Sequence, residues 1–448
     1  MSVIDNLFPN NYECKIAILG LGYVGLPLAI EFSRNGKCLI TGKKLNRKVI
    51  AFDINNKRIK DLKNGFDYTK QFSNNELKHN TNLEFTSDDK SLSEADVFII
   101  TVPTPVNEFN IPDLTALKSA SIIVAKAILN RFNKVKPIII YESTVYPGAT
   151  EEVCVPILSK YSNLIFNQDF FCGFSPERIN PGDQDHVLKT IVKLTSGSSK
   201  EASEWIDIFY ASIITAGTFK VDCIKIAETA KIIENTQRDI NIALMNELSI
   251  ICKLLNIDTL DVIEAASTKW NFLSFKPGLV GGHCIGVDPY YLTYKAKQLG
   301  YNPLIVSSGR KINDEVAPRL VDNIILQMVK KSLIKNFTKI LILGITFKAD
   351  CPDIRNSKVF DIIKGFSNYP FKIKVVDPYI TKEMSESFEF EFSNKISFDE
   401  SYEVMMLLVD HKEFKDLKPN DWAKLIIKEG IIFDLKGIVP RELGPMRI

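Results

Sequence analysis

One stretch of the chain concentrates reactive chemistry: Pro277-Gly278-Leu279-Val280-Gly281-Gly282-His283-Cys284-Ile285-Gly286-Val287-Asp288-Pro289. A cysteine on a glycine-rich turn just ahead of a helix lies near N–H dipoles that favour its thiolate, the form that attacks a carbonyl carbon. Asp288, four residues on, is placed to share that side. A lone cysteine is more often an inert core residue, and the glycine setting is what gives Cys284 its claim as a nucleophile. His283 reads as a hydrogen-bonded structural residue rather than a base, since no carboxylate neighbour in sequence is available to orient it. Lys231 and Asn235 stand at i and i+4 of a helical pattern and so point to one face. A cation and an amide there suit an oxyanion or a substrate hydroxyl. The alternative is a solvated helix surface, which Glu228 and Glu234 fit well.

Three turns add to these groups. Thr101-Val102-Pro103-Thr104-Pro105 and Glu142-Ser143-Thr144-Val145-Tyr146-Pro147-Gly148 each follow a buried apolar run, at the strand ends where open α/β sheets hold ligands. Phe174-Ser175-Pro176-Glu177-Arg178-Ile179-Asn180-Pro181-Gly182 is the third, and each is weak alone because proline-rich turns also occur as plain loops.

Gly20-Leu21-Gly22-Tyr23-Val24-Gly25 follows a four-residue apolar run and opens a helical one, the context of a dinucleotide fingerprint. Gly20 suits the tight turn, Gly22 the approach of backbone to a pyrophosphate, and Gly25 close helix–strand packing. Asp53 ends the next strand, where a carboxylate accepts the ribose hydroxyls and repels a 2′-phosphate, so NAD is favoured over NADP. Asp53 lies 28 residues after Gly25, longer than the usual spacing of about 20, and the polar segment 41–48 reads as a loop insertion that takes up the excess. Arg58 is either a solvated helix residue or an adenine-side contact. A second strand-to-turn, Leu343-Gly344-Ile345-Thr346-Phe347-Lys348, lacks the later glycines and suits a lone phosphate near Lys348 rather than a second dinucleotide.

The elements that must position these groups alternate. Strands are expected at 16–19, 49–53, 83–85, 97–102, 138–141 and 191–194, and again at 340–343, 373–377, 404–409 and 431–435. Between them, apolar periodicity at Ile224, Ala227, Ala230 and Ile233, then Ile240, Leu244, Leu248 and Ile251, predicts one long helix over roughly 222–255. The fold class is therefore α/β: two Rossmann-like doubly wound domains joined by a central helical domain, with boundaries at 1–215, 216–331 and 332–448.

Composition agrees with this class. The 448 residues are 45% hydrophobic and 25% charged, as in ordinary globular proteins, and 56 basic against 54 acidic residues leave no bulk field for nucleic acid or an anionic membrane. No two of the eight cysteines are closer than 18 positions, so no metal or redox Cys-x-x-Cys pair exists and no metal is expected. The first fifteen residues lack a basic n-region, and no apolar run approaches the 18 or so residues that span a bilayer. A cytoplasmic protein is expected.

Taken together, these residues resemble the UDP-glucose/GDP-mannose dehydrogenase family over residues 15–437. The glycine fingerprint with Asp53 and Arg58, Thr101 to Pro105, Ser143-Thr144-Val145, Pro176-Glu177, the segment from Glu228 to Asn235, the Gly-Gly-x-Cys turn, and Phe347-Lys348 with Asp353 and Arg355 occur in the family's order. The resemblance implies oxidation of a sugar 6-hydroxyl to a carboxylate in two hydride transfers to NAD, through a thiohemiacetal and then a thioester. It implies Cys284 as nucleophile, Lys231 and Asn235 as oxyanion stabilisers, Asp288 with Thr144 orienting a water, and Glu177 as base in thioester hydrolysis. The cofactor side would take Gly20, Gly22, Tyr23, Val24, Gly25, Asp53, Arg58, Thr101, Pro103, Thr104, Thr144 and Arg355. The sugar side would take Glu177, Arg178, Lys231, Asn235, Phe275, Gly278 and Lys348.

One departure separates branches of the family. Glucose-specific members resemble Gly-Gly-Ser-Cys-Phe-x-Lys-Asp, whereas Val287 stands here in place of that lysine. This version, with the segments 268–278 and 288–292, is similar to enzymes of Vi-antigen and O-antigen pathways. It implies UDP-N-acetylglucosamine or its galacto epimer, with UDP-N-acetylmannosamine and UDP-glucose as alternatives, and a homodimer or larger oligomer. The rivals are a two-electron alcohol dehydrogenase needing no cysteine and a nucleotide-sensing scaffold without chemistry. The second is disfavoured because a competent side chain fills every candidate position.

Overall fold

The computed structural model describes residues 7–69, 71–133, 135–179, 186–282 and 284–448, so His283 and the residues 180–182 of the third turn lie outside it. The chain divides into two compact units, residues 1–234 with 290–299, and residues 235–289 with 300–448.

The first unit is built on strands β1 (Lys15–Leu19), β2 (Lys48–Phe52), β3 (Leu83–Thr86), β4 (Val97–Ile100), β5 (Ile138–Tyr141), β6 (Phe171–Phe174), β7 (Lys193–Gly197) and β8 (Thr218–Lys220), in the order β3-β2-β1-β4-β5-β6-β7-β8. Pairing is parallel except between β6 and β7. The first six form the 3-2-1-4-5-6 order of a dinucleotide-binding sheet. Near-continuous apolar strands are what a sheet covered on both faces requires. Their period of two sets Ile18, Ala51, Ile99 and Ile140 side by side on one face, packed with Leu26, Ile30, Trp205 and Phe209 from the helices Gly25–Ser33 and Lys200–Ala211. The segment 41–47 is a loop, one residue shorter than expected because β2 begins at Lys48, and it is pinned by buried Arg47, whose guanidinium lies 4.6 Å from the Phe209 ring centre.

The second unit repeats the order in an all-parallel sheet, β11-β10-β9-β12-β13-β14, from β9 (Lys339–Leu343), β10 (Lys372–Val376), β11 (Glu391–Ser393), β12 (Tyr402–Leu407), β13 (Ile426–Asp434) and β14 (Met446–Arg447). Ile340, Ile342, Val404 and Met406 face one core; Leu341, Leu343, Met405 and Leu407 face another with Trp422 and Phe414. Three strands absent from the sequence reading, β8, β11 and β14, are three, three and two residues long, too short to show a period. β6 escaped because its Phe-Cys-Gly-Phe run is short and broken by glycine, and β7 starts two residues later than expected.

The long helix spans Ile224–Leu255. Ile224 and Ala227 are buried as the apolar periodicity expects, but Ile233, Leu244 and Ile251 are exposed, while Glu228, Lys231, Thr236, Asp239, Asn246 and Ser249 are buried beside Ile232, Ala243, Met245 and Cys252. The inward face mixes apolar residues with polar ones whose side chains bond backbone turns and ion pairs, so hydropathy alone selects only part of the stripe.

Candidate functional site

In the first unit the glycine turn is held by the strand ends around it. Gly20 has φ +95°, and a Cβ on Gly25 would sit 1.9 Å from the Gly20 carbonyl oxygen, so no larger residue fits at Gly25. Nothing lies within 4 Å of a Cβ built on Gly22, which leaves room for a diphosphate where the helix Gly25–Ser33 starts without a side-chain cap. Thr101 Oγ1 donates to the Gly20 carbonyl at 2.7 Å. Asp53 accepts from the Leu21 and Asn55 amides at 2.8 and 2.9 Å, which holds its carboxylate beside the turn. These features fit a dinucleotide with free ribose hydroxyls.

Arg58 is a correction to the solvated alternative. It is buried, its Nη2 donates to Asp67 at 2.9 Å, its Nε to the Leu21 carbonyl at 3.0 Å, and its guanidinium lies 4.0 Å from the Tyr68 ring centre. Its Nη1 is buried with no protein partner. Tyr23 and Val24 lie in the turn and Pro103 is exposed after β4. Thr104 Oγ1 donates to the Thr144 carbonyl at 2.5 Å, joining the two turns that follow β4 and β5. Tyr291, noted in the sequence only as part of the segment 288–292, donates to the Thr104 carbonyl.

Glu228 is a second correction: far from being solvated, it is fully buried and accepts from the Gly148 and Thr150 amides at 2.5 and 3.0 Å. Burial pushes its carboxyl up to about 7 against the pull of those amides. It ties the long helix, one turn before Lys231, to the loop that carries Thr144. Lys231 itself is 8% exposed, against the solvated alternative. Glu234 stays on the surface side, half-buried and paired with Arg178. Glu177 is buried, and one oxygen accepts the Arg178 and Ile179 amides at 2.6 and 2.8 Å while the other meets Lys193 Nζ at 3.0 Å. Lys193 was legible only as a lysine inside an apolar strand.

In the second unit, a Cβ on Gly281 would meet the Asn356 carbonyl at 2.5 Å, and Gly282, at φ +82°, packs on the Phe347 ring. The two glycines let the turn lie against that segment and leave Cys284 exposed. The Asp288 amide donates to the Cys284 carbonyl at 2.8 Å, and the Asp288 carboxylate accepts from Asn235 Nδ2 at 2.6 Å. Three of the expected groups thus form one cluster. Asn246, missed in the sequence, clamps Gly278 through both its amide and carbonyl, at 2.8 and 3.1 Å, while Phe275 is half-buried nearby in the chain.

Lys348 follows a turn built like the one around Gly20. Asp377 accepts from the Ile345 and Thr346 amides at 2.8 and 3.1 Å, as Asp53 does from Leu21. Buried His411 accepts the Asp350 amide at Nδ1, so its Nε2 carries the proton and donates to Asp377 at 3.0 Å. Arg355 is half-exposed and bidentate with Asp353. Among the described residues no cluster of His, Cys, Asp and Glu could hold a metal, and no single helix is long and apolar enough to cross a membrane.

Residues 14–214 match the NAD binding domain of the UDP-glucose/GDP-mannose dehydrogenase family, residues 225–315 its central domain, and residues 341–441 its UDP binding domain. The chain belongs to that family. As a member of the UDP-glucose/GDP-mannose dehydrogenase family it is an NAD-dependent oxidoreductase, and the UDP binding domain marks its substrate as a UDP-sugar. It is 47% identical over 437 residues to a UDP-N-acetyl-D-glucosamine 6-dehydrogenase of Salmonella typhi, covering 97% of this chain and 99% of that one. It is 49% identical over 427 residues to Protein CapL of Staphylococcus aureus, covering 95% and 96%. Among solved structures, a UDP-D-ManNAc dehydrogenase from Pyrococcus horikoshii superposes with a TM-score of 0.82 at 27% identity, covering 97% and 98%.

Proposed function

We propose that the protein oxidises the 6-hydroxyl of UDP-N-acetylglucosamine, or of its galacto epimer, to the uronic acid for surface polysaccharide synthesis. The observation that carries this reading is the exposed Cys284 on its Gly281-Gly282 turn, backed by the bonded Asn235–Asp288 pair, in a chain 47% identical along its length to an enzyme of that name. NAD, when bound, accepts a hydride in each of the two oxidations. Cys284 adds to the aldehyde formed first, and the thiohemiacetal is oxidised to a thioester. Lys231 and Asn235 stabilise the oxyanion, Asp288 with Thr144 orients the water, and Glu177 assists hydrolysis. The sugar nucleotide is taken by Arg178, Phe275, Gly278 and Lys348, and the cofactor by the glycine turn, Asp53, Thr101, Thr104 and Arg355.

The test is a panel of UDP-sugars with NAD, counting NADH. Two per sugar with UDP-N-acetylglucosamine supports the reading; one per sugar leaves a simple alcohol dehydrogenase, and preference for UDP-N-acetylmannosamine or UDP-glucose moves the substrate. We also read the chain as three domains, 1–215, 216–331 and 332–448, working in the cytoplasm as a homodimer or larger oligomer. The exposed apolar row Ile226, Ile233, Leu244, Ile251 and Leu255 on the long helix supports self-association, and sedimentation tests it.

A further inference from the structure

Among the described strands of the first sheet, β6 and β7 make the antiparallel pairing, so the first residue of β7, Lys193, lies at the edge where β5 and β6 end. The register pairs Gly173 with Gly197 and Phe174 with Ser196, and continued outward it sets Lys193 opposite Glu177. Lys193 Nζ lies 2.7 Å from Glu142, the residue after β5, and 3.0 Å from Glu177. All three side chains are at least nine-tenths buried. Tyr210, from the helix Lys200–Ala211, donates to the second oxygen of Glu142. The titratable groups facing Glu142 are thus Lys193, Glu177 and Tyr210.

Two buried carboxylates sharing one ammonium carry a net negative charge when both are ionised, which a low-dielectric interior resists. The two carboxylates outweigh burial and keep Lys193 charged. Burial lifts Glu142 to about 7, helped by Glu177 and opposed by Lys193. Glu177 keeps the more strongly bound position, since two backbone amides also hold its other oxygen. When Glu142 ionises, it draws on the Lys193 charge and leaves less of it for Glu177. When Glu142 is protonated, the whole charge falls on Glu177.

We propose that Glu142 and Lys193 are positioning residues for Glu177: Lys193 fixes its carboxylate, and the ionisation of Glu142 sets how much of the Lys193 charge Glu177 meets during thioester hydrolysis. This rests on the hydrolytic reading of Glu177. The test follows kcat from pH 5.5 to 9, and the protein mass during turnover, for the parent enzyme, Glu142→Gln, Lys193→Met, Lys193→Arg and Glu177→Gln. The parent kcat should rise through about pH 7. Glu142→Gln should lose that rise and accumulate an adduct on Cys284, with KM for both substrates within about twofold of the parent. Lys193→Met should lose at least about tenfold in kcat, and Lys193→Arg should recover part of it. A Glu142→Gln enzyme that keeps the rise without an adduct overturns the proposal, whatever the folding of Lys193→Met. A Glu177→Gln enzyme at the parent rate instead removes the role of Glu177 itself.

Discussion

Asn235 Nδ2 donates to Asp288 Oδ2 at 2.6 Å, which ties the long helix to the first residue of the helix following the cysteine turn. Asp288 is 1% exposed, so losing its oxygens would strand a donor in the interior. Asp288→Ala should therefore cost roughly 1–3 kcal/mol of stability. Asp288→Asn can still accept that bond while losing the charge. If Asp288 orients the water, the asparagine variant should keep most of its melting temperature and lose at least about tenfold in kcat. Equal melting temperature and equal rate would remove Asp288 from the chemistry.

Covalent catalysis separates two variants. The first hydride transfer needs no cysteine, whereas the second does. Cys284→Ser should abolish steady production of uronic acid while allowing a slow first oxidation or a sluggish ester. Lys231→Ala should impair both oxidations, since an alkoxide or oxyanion arises in each. NADH release and the mass of the protein distinguish them. A serine variant making acid at the parent rate would falsify the covalent route.

Removing the Asp53 carboxylate should act on the cofactor alone. Asp53→Ala takes away the ribose acceptor and the acceptor of the Leu21 amide. KM for NAD should rise far more than KM for the UDP-sugar. The parent enzyme should strongly prefer NAD to NADP, because a carboxylate repels the 2′-phosphate. Steady-state kinetics with both cofactors checks this, and equal losses for NAD and sugar would contradict the assignment.

Glu228 should make stability depend on pH in an uncommon direction. Its folded pKa of about 7 lies above the ordinary 4.5, so the folded state holds the proton longer. Stability from this group is full below pH 4.5 and is lost as pH rises to about 7, by an amount on the order of 3 kcal/mol. Glu142 contributes in the same direction. Melting curves between pH 5 and 8 should therefore be flatter for Glu228→Gln than for the parent. Parallel curves would show that Glu228 ionises at its ordinary value.

Gly282 tests how the cysteine turn is held. At φ +82° an alanine is strained, and its Cβ would stand 2.8 Å from the Phe347 ring. Gly282→Ala should cost about 1 kcal/mol or more and displace Cys284. The loss should fall on kcat, with NAD affinity by titration unchanged. Unaltered kcat would mean that the turn tolerates the shift.

The sequence by itself determined the class of the fold and singled out the candidate reactive groups. Continuous apolar runs such as Ile138 to Tyr141, short, β-branched and followed by a proline–glycine turn, read as strands covered on both faces, and Gly20, Gly22 and Gly25 ahead of a helix have a local physical meaning that needs no tertiary information. Cys284 and Asp288 were legible for the same reason, since four residues bridge them. What the tertiary structure decided lies in pairs far apart in the chain. Glu228 reads as solvated until the amides of Gly148 and Thr150 are found on it, eighty and seventy-eight positions away. Lys193 joins Glu142 and Glu177 only because β7 reverses direction, which no local pattern records. The face of the long helix was read only in part because several of its inward side chains are polar and bonded, and burial follows satisfied partners as well as hydropathy. Local chemistry is written in spacing, whereas the charge state and orientation of each group depend on neighbours that only folding supplies.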